Sequence, residues 1–185
     1  LSDLMKKIGK FYNREVRTII SDMNVPLGHA IGNSIEVMEA IKVLKGEETN
    51  NNLVDLCIEL ATEMVSMGKN IDRAIAYDEV VDSIKSGKAY NKFLELVKSQ
   101  GGKIDSLRLS DDSIQIIATD AGIVKKIDAL ELGKLSVKLG AGRINKEDKI
   151  DYNVGIYLNK LVGDTVKKGD ILATVYVNKN VKLDE

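Results

Sequence analysis

Few residues in this chain are able to do chemistry. There is one histidine, His29, and one cysteine, Cys57, with a single proline and no tryptophan in 185 residues. His29 is the only imidazole, the side chain that ordinarily titrates near neutrality. No Ser, Cys or Asp is arranged around it as a nucleophile–base pair would require, so this loop histidine reads as surface or packing. Cys57 lies on an apolar helical stripe and reads as core. One Cys and one His cannot build a zinc cluster, and one Cys cannot form an internal disulfide. Glu36 and Glu39 stand three apart in the first turns of a capped helix, beside Asn33. Paired carboxylates can do acid–base work or bind metal. Acids placed there also complement the helix dipole, and spacing alone favours that role. Leu139-Gly140-Ala141-Gly142-Arg143 has the look of a phosphate-cradling loop. A dinucleotide fingerprint would need a third glycine and a following helix. Here a charged turn follows, Ile144-Asn145-Lys146-Glu147-Asp148, so the segment reads as a tight turn with a buried or partner-facing Arg143.

Lys and Arg total 27 against 28 Asp and Glu, and 44% of residues are hydrophobic. That balance is globular and argues against a dedicated nucleic-acid binder, which would carry a basic surplus. No apolar run approaches the roughly 18–20 residues that span a bilayer. With one cysteine and no signal-peptide pattern at the start, a cytoplasmic setting is expected. The opening at Leu1 and the charged finish Lys182-Leu183-Asp184-Glu185 read as cuts through a longer protein.

Leu4, Met5, Ile8 and Phe11 recur at helical spacing, and the β-branched run 15–22 predicts a buried strand. A loop follows to Gly32, holding Pro26, Gly28 and His29. Asn33 or Ser34 can cap the next helix, which Gly46 ends. A longer helix is predicted from Asn51 or Asn52 to a stop at Gly68, then two more over 71–86 and 89–100. From about residue 103 the texture becomes β-rich, with strands predicted at 113–119, 122–127, 135–139, 152–158 and 171–177. The expected fold is α/β: helices packed on part of a mixed sheet over 1–105, then a β-rich module over 106–185 resembling a barrel–sandwich hybrid. In the second part, Gly163-Asp164 and Gly169-Asp170 set two turns around an inward Val166. That phrase resembles the turn of lipoyl- and biotinyl-type carriers, which makes a non-catalytic carrier or interaction module the rival reading. Such a carrier needs a lysine at an exposed hairpin tip. Lys125-Lys126 instead sit in a strand-like run, and no Met follows Met67.

A more specific resemblance runs through 20–37. Ile20-Ser21-Asp22-Met23, then Pro26-Leu27-Gly28, then Gly32-Asn33 and Glu36-Val37 closely resemble the pyrimidine-nucleoside phosphorylases, a family that includes thymidine phosphorylase. Colinear matches continue at Leu44-Lys45-Gly46, Gly122-Ile123-Val124, Leu139 to Arg143, Lys149 to Ile156, and the turn phrase at 162–172. The Pro-Leu-Gly and Leu-Gly-Ala-Gly-Arg phrases speak against a phosphoribosyltransferase of similar architecture. The resemblance implies a pentosyltransferase, converting pyrimidine nucleoside and phosphate to free base and pentose 1-phosphate, and a homodimeric parent. It also places the Lys-His-Ser phosphate segment, the glycine-rich phosphate loop and the pyrimidine-holding residues in a portion that this chain does not carry. No Lys-His-Ser occurs here, so the 185 residues alone are expected to be catalytically incomplete. Members with this loop bind K⁺, and the matching ligands are the backbone carbonyls of Leu27 and Ala30 and the carboxylate of Glu39. That partial site is expected to hold the ion weakly at best. Only backbone oxygens bind at the loop, so the side chain of His29 is expected to be dispensable.

Overall fold

The computed structural model describes residues 1–49 and 51–178. The charged finish read as a cut, and the last part of the 106–185 module, lie outside the described residues. Apolar periodicity settles most of the first hundred residues. Helix α1 (Ser2–Phe11) carries the Leu4, Met5, Ile8 and Phe11 stripe, at least half exposed at each position. The helical layer comprises α2 (Ser34–Leu44), α3 (Asn52–Lys69), α4 (Arg73–Lys85) and α5 (Lys88–Ser99). Asn51 caps α3 by accepting from the Val54 N–H at 3.0 Å, and Asp72 caps α4 by accepting from Ala74 N–H at 2.7 Å. Each satisfies a backbone donor that the first turn leaves orphaned.

The strand expected at 15–22 does not form, and Ile20 is exposed. A β-branched run becomes a strand only when another strand offers ladder partners, and none of the described strands pairs with this segment. It is held by charge instead: Arg17 bridges Glu15 and Glu63 of α3, and Glu63 also binds Arg73. The stop expected at Gly68 is passed, because a glycine costs a helix only about 1 kcal/mol. Asn70 ends α3 in the left-handed conformation at φ +53°.

Beyond α5 and a short 3₁₀ turn (Ile104–Ser106) come β2 (Ser113–Ile117), β3 (Gly122–Ile123), α6 (Ala129–Leu139), β4 (Gly155–Leu158), β5 (Thr165–Val166) and β6 (Ile171–Tyr176). Residues 135–139, expected as a strand, are the end of α6. Leu132, Leu135 and Leu139 follow helical spacing, and Asp128 caps the helix by accepting from Glu131 N–H at 3.2 Å. Of the strand expected over 122–127, only Gly122–Ile123 pairs, with β5. Val166 is buried between its two turns as expected, whereas Arg143 is exposed rather than buried.

The main sheet is antiparallel throughout rather than mixed, with strands in the order β1-β4-β6-β2, where β1 is Ala30–Gly32. With the separate β3–β5 ladder it forms no barrel–sandwich closure among the described residues. The edge strand β1 comes from the first part of the chain and the other three from the second, so one sheet spans both. Alternation along β4 sends Ile156 and Leu158 to one face, where they pack with Val175 and Leu139 against α6. Gly155 and Tyr157 face the other way, toward α2. A side chain at 155 would meet Ile35 of α2 at 2.9 Å and the Ile31 carbonyl at 2.7 Å, so only glycine lets helix, edge strand and sheet approach this closely.

Candidate functional site

Loop 22–29 enters β1 at the open edge of the sheet, and two helices grip it by side chains. Glu39 of α2 is only 6% exposed, and its carboxylate accepts from His29 N–H at 2.6 Å and from Ala30 N–H at 3.1 Å. Asn52, the first residue of α3, donates from Nδ2 to the Pro26 carbonyl and accepts at Oδ1 from Gly28 N–H, both at 2.9 Å. Between these anchors Gly28 takes φ +68°, and a Cβ there would stand 2.7 Å from both Glu39 oxygens. Glycine is required on both counts, conformation and room.

The sheet register determines where the peptide groups of Ala30 point. Leu158 N–H donates to the His29 carbonyl at 2.7 Å, which makes His29 and Leu158 a hydrogen-bonded pair. Antiparallel pairing alternates, so Ala30, opposite Tyr157, is a non-hydrogen-bonded position. Its N–H and C=O both point off the sheet edge, and the N–H meets Glu39. Leu27, Ala30 and Glu39, the three residues matched to the cation site, therefore line one cavity of about 430 Å³, together with Pro26 and Leu53.

The cavity is walled mostly by apolar side chains such as Val25, Leu53 and Leu132, and its charged groups are the two carboxylates Glu36 and Glu39. Among the described residues no Lys or Arg forms an ion pair with Glu39, although a carboxylate this deeply buried ordinarily requires a compensating charge. One carboxylate with carbonyl oxygens suits a hard, weakly held monovalent cation, so these residues fit K⁺. Among the described residues no cluster of three His, Cys, Asp or Glu could hold a metal ion. The field of Glu39 is also felt at Tyr157, whose phenol is pushed up first by burial and then by that carboxylate.

His29 is a packing residue. Its ring stacks on Tyr157 with centroids 5.5 Å apart, and Nδ1 donates to the Leu158 carbonyl at 2.6 Å. Glu36 lines the same cavity as Glu39 but accepts from Gly32 N–H at 2.8 Å, while Glu39 accepts from His29 and Ala30, so each acid is committed to its own backbone donors. Asn33 occupies the N-cap position of α2 as expected but makes no side-chain cap bond; its amide donates to the Ala141 carbonyl at 2.7 Å, tying the glycine turn after α6 to β1. Cys57 is exposed rather than core, and lines an apolar groove formed mainly by α2, α3 and α4. Burial of its thiol nonetheless pushes the pKa up, the opposite of an activated thiolate. Asn52 escapes sequence reasoning: adjacent asparagines before a helix announce a cap, and nothing in their order tells which one caps and which reaches across to a loop 24 residues earlier.

A family model described as the pyrimidine nucleoside phosphorylase C-terminal domain matches residues 123–185. A thymidine phosphorylase of Metamycoplasma hominis is 41% identical over 98% of this chain and 69% of its own length. The chain belongs to the pyrimidine-nucleoside phosphorylase family. Within it, the pyrimidine-nucleoside phosphorylase of Bacillus subtilis strain 168 is 43% identical over 97% of this chain, and that of Staphylococcus epidermidis strain ATCC 12228 is 41% identical over 96%. The chain spans 43% of the length of the first of these phosphorylases and 42% of the second.

Proposed function

We propose that the whole protein catalyses reversible phosphorolysis of a pyrimidine nucleoside, and that this chain contributes its cation-binding loop and C-terminal module. The observation that carries this reading is the 43% identity to a pyrimidine-nucleoside phosphorylase across 97% of the chain. In such a reaction phosphate attacks C1′ of the pentose as the base departs, so catalysis rests on positioning phosphate and stabilising charge on the leaving pyrimidine. His29 of the loop and Glu36 of α2 are committed to backbone partners, so neither is arranged for either role. Residues 1–105 then belong to an α/β catalytic domain and 106–185 to a β-rich module, in a cytoplasmic homodimer.

Leu27 and Ala30 would hold K⁺ through their carbonyls and Glu39 through its carboxylate. When bound, the ion supplies positive charge and a fixed point for oxygen ligands, and no bond is made or broken on it. The chain's own residues prepare the site: Gly28 admits the Glu39 carboxylate, Glu39 holds His29 and Ala30, and the sheet edge leaves the Ala30 carbonyl unpaired.

The test is a chimera in which these residues replace the matching stretch of the Bacillus subtilis relative, with uridine and thymidine phosphorolysis followed by ultraviolet absorbance. The chimera is expected to release base only when phosphate is present, and the isolated chain to release none. A folded but inactive chimera would overturn the assigned function. Turnover by the isolated chain would show that the reacting groups lie within these 185 residues.

A further inference from the structure

We propose that Asn52 is a positioning residue for the cation loop, fixing the direction of the Leu27 carbonyl. The inference rests on the K⁺ reading above and adds to it a residue outside the ligand set. Its basis is peptide planarity. Leu27 C=O and Gly28 N–H are opposite ends of one rigid trans unit, so whatever holds the N–H aims the carbonyl the other way. Asn52 Oδ1 holds that N–H at 2.9 Å, and Asn52 Nδ2 holds the preceding carbonyl, Pro26, at 2.9 Å. Both peptide planes flanking Leu27 are thereby set by one side chain. The peptide between His29 and Ala30 is held in the same manner: Glu39 takes its N–H, and the His29 carbonyl at its other end meets Leu158 N–H.

No hydrogen bond to the Leu27 carbonyl is formed among the described residues, and Leu27 lines the cavity with Ala30 and Glu39. Asn52 itself sits on a firm base. It opens an 18-residue helix whose cap, Asn51, is buried. Glu39 from α2 and Asn52 from α3 thus divide the loop, Glu39 supplying a ligand and two clamps, Asn52 supplying only clamps.

The experiment is ²⁰⁵Tl⁺ NMR on the chimera described above, with Tl⁺ as the K⁺ surrogate and K⁺ as competitor, comparing the chimera carrying Asn52 with its Asn52→Ala and Asn52→Asp variants. Asp keeps the acceptor for Gly28 N–H, loses the donor to Pro26, and suits the first turn of a helix, so α3 survives. The chimera carrying Asn52 is expected to show a K⁺-competable Tl⁺ shift, with a dissociation constant about fivefold higher in Asn52→Ala and a smaller rise in Asn52→Asp. Circular dichroism confirms that each variant keeps its helices; if Asn52→Ala does not fold, Asn52→Asp decides. An unchanged dissociation constant in folded variants overturns the positioning role alone. No K⁺-competable signal in the chimera carrying Asn52 overturns the cation site and this inference with it.

Discussion

Glu39 and Gly28 form the tightest constraint in the loop, a buried carboxylate pressed against a glycine with no room for a side chain. Gly28→Ala must move either the φ +68° backbone or the carboxylate, and is expected to cost about 1–3 kcal/mol in a denaturant melt. His29→Ala removes a ring stacked on Tyr157 and one hydrogen bond, so it should cost about 1 kcal/mol of stability and little activity in the phosphorylase chimera. A loss of several orders of magnitude in rate would instead make His29 a catalytic base. At this scale the sequence is legible where a residue acts through its type and local spacing. Gly163 and Gly169, on either side of Val166, are such residues. It is silent where the partner is remote: Asn33 reads as a cap but serves Ala141, 108 residues on.

Elements form where neighbours complete what local preference begins. The run 135–139 suggests a strand by composition, but Leu132 and Leu135 can reach the core with Leu139 only on a helix. The run 15–22 has strand preference and no ladder partner, and stays outside both sheets. The α3 cap is a local device, so Asn51→Ala should lower stability by about 1 kcal/mol while Asn51→Ser restores most of it. Ile156, 1% exposed at the centre of the sheet, should cost about 2–5 kcal/mol when cut to Ala. The charge network beside α3 adds a pH dependence. Hydrogen bonds from Arg17, and then Arg73, hold the Glu63 carboxyl below its ordinary range. A depressed carboxyl contributes stability above its unfolded pKa, near 4, and loses it as pH falls through the folded value. Melting temperature should therefore drop on acidification below about pH 4, and less steeply in Glu63→Gln.

On the scale of the whole molecule, one antiparallel sheet unites parts that composition separates at about residue 105, because β1 from the loop region is its edge strand. That edge gives the loop its chemistry: the last strand of a sheet leaves alternate peptide groups unpaired, and at Ala30 they face a buried carboxylate. The family was legible in the colinear phrases from Ile20 to Leu172; the antiparallel sheet was not, because strand direction depends on pairings far apart in sequence. The decisive experiment is uridine phosphorolysis by the chimera as KCl replaces choline chloride at constant ionic strength, with and without Glu39→Gln. The rate is expected to rise saturably with K⁺, and the Glu39→Gln chimera to need roughly tenfold or more K⁺ for half its maximal rate. A rate indifferent to K⁺, or the same K⁺ requirement in both chimeras, would refute a cation site built on Leu27, Ala30 and Glu39.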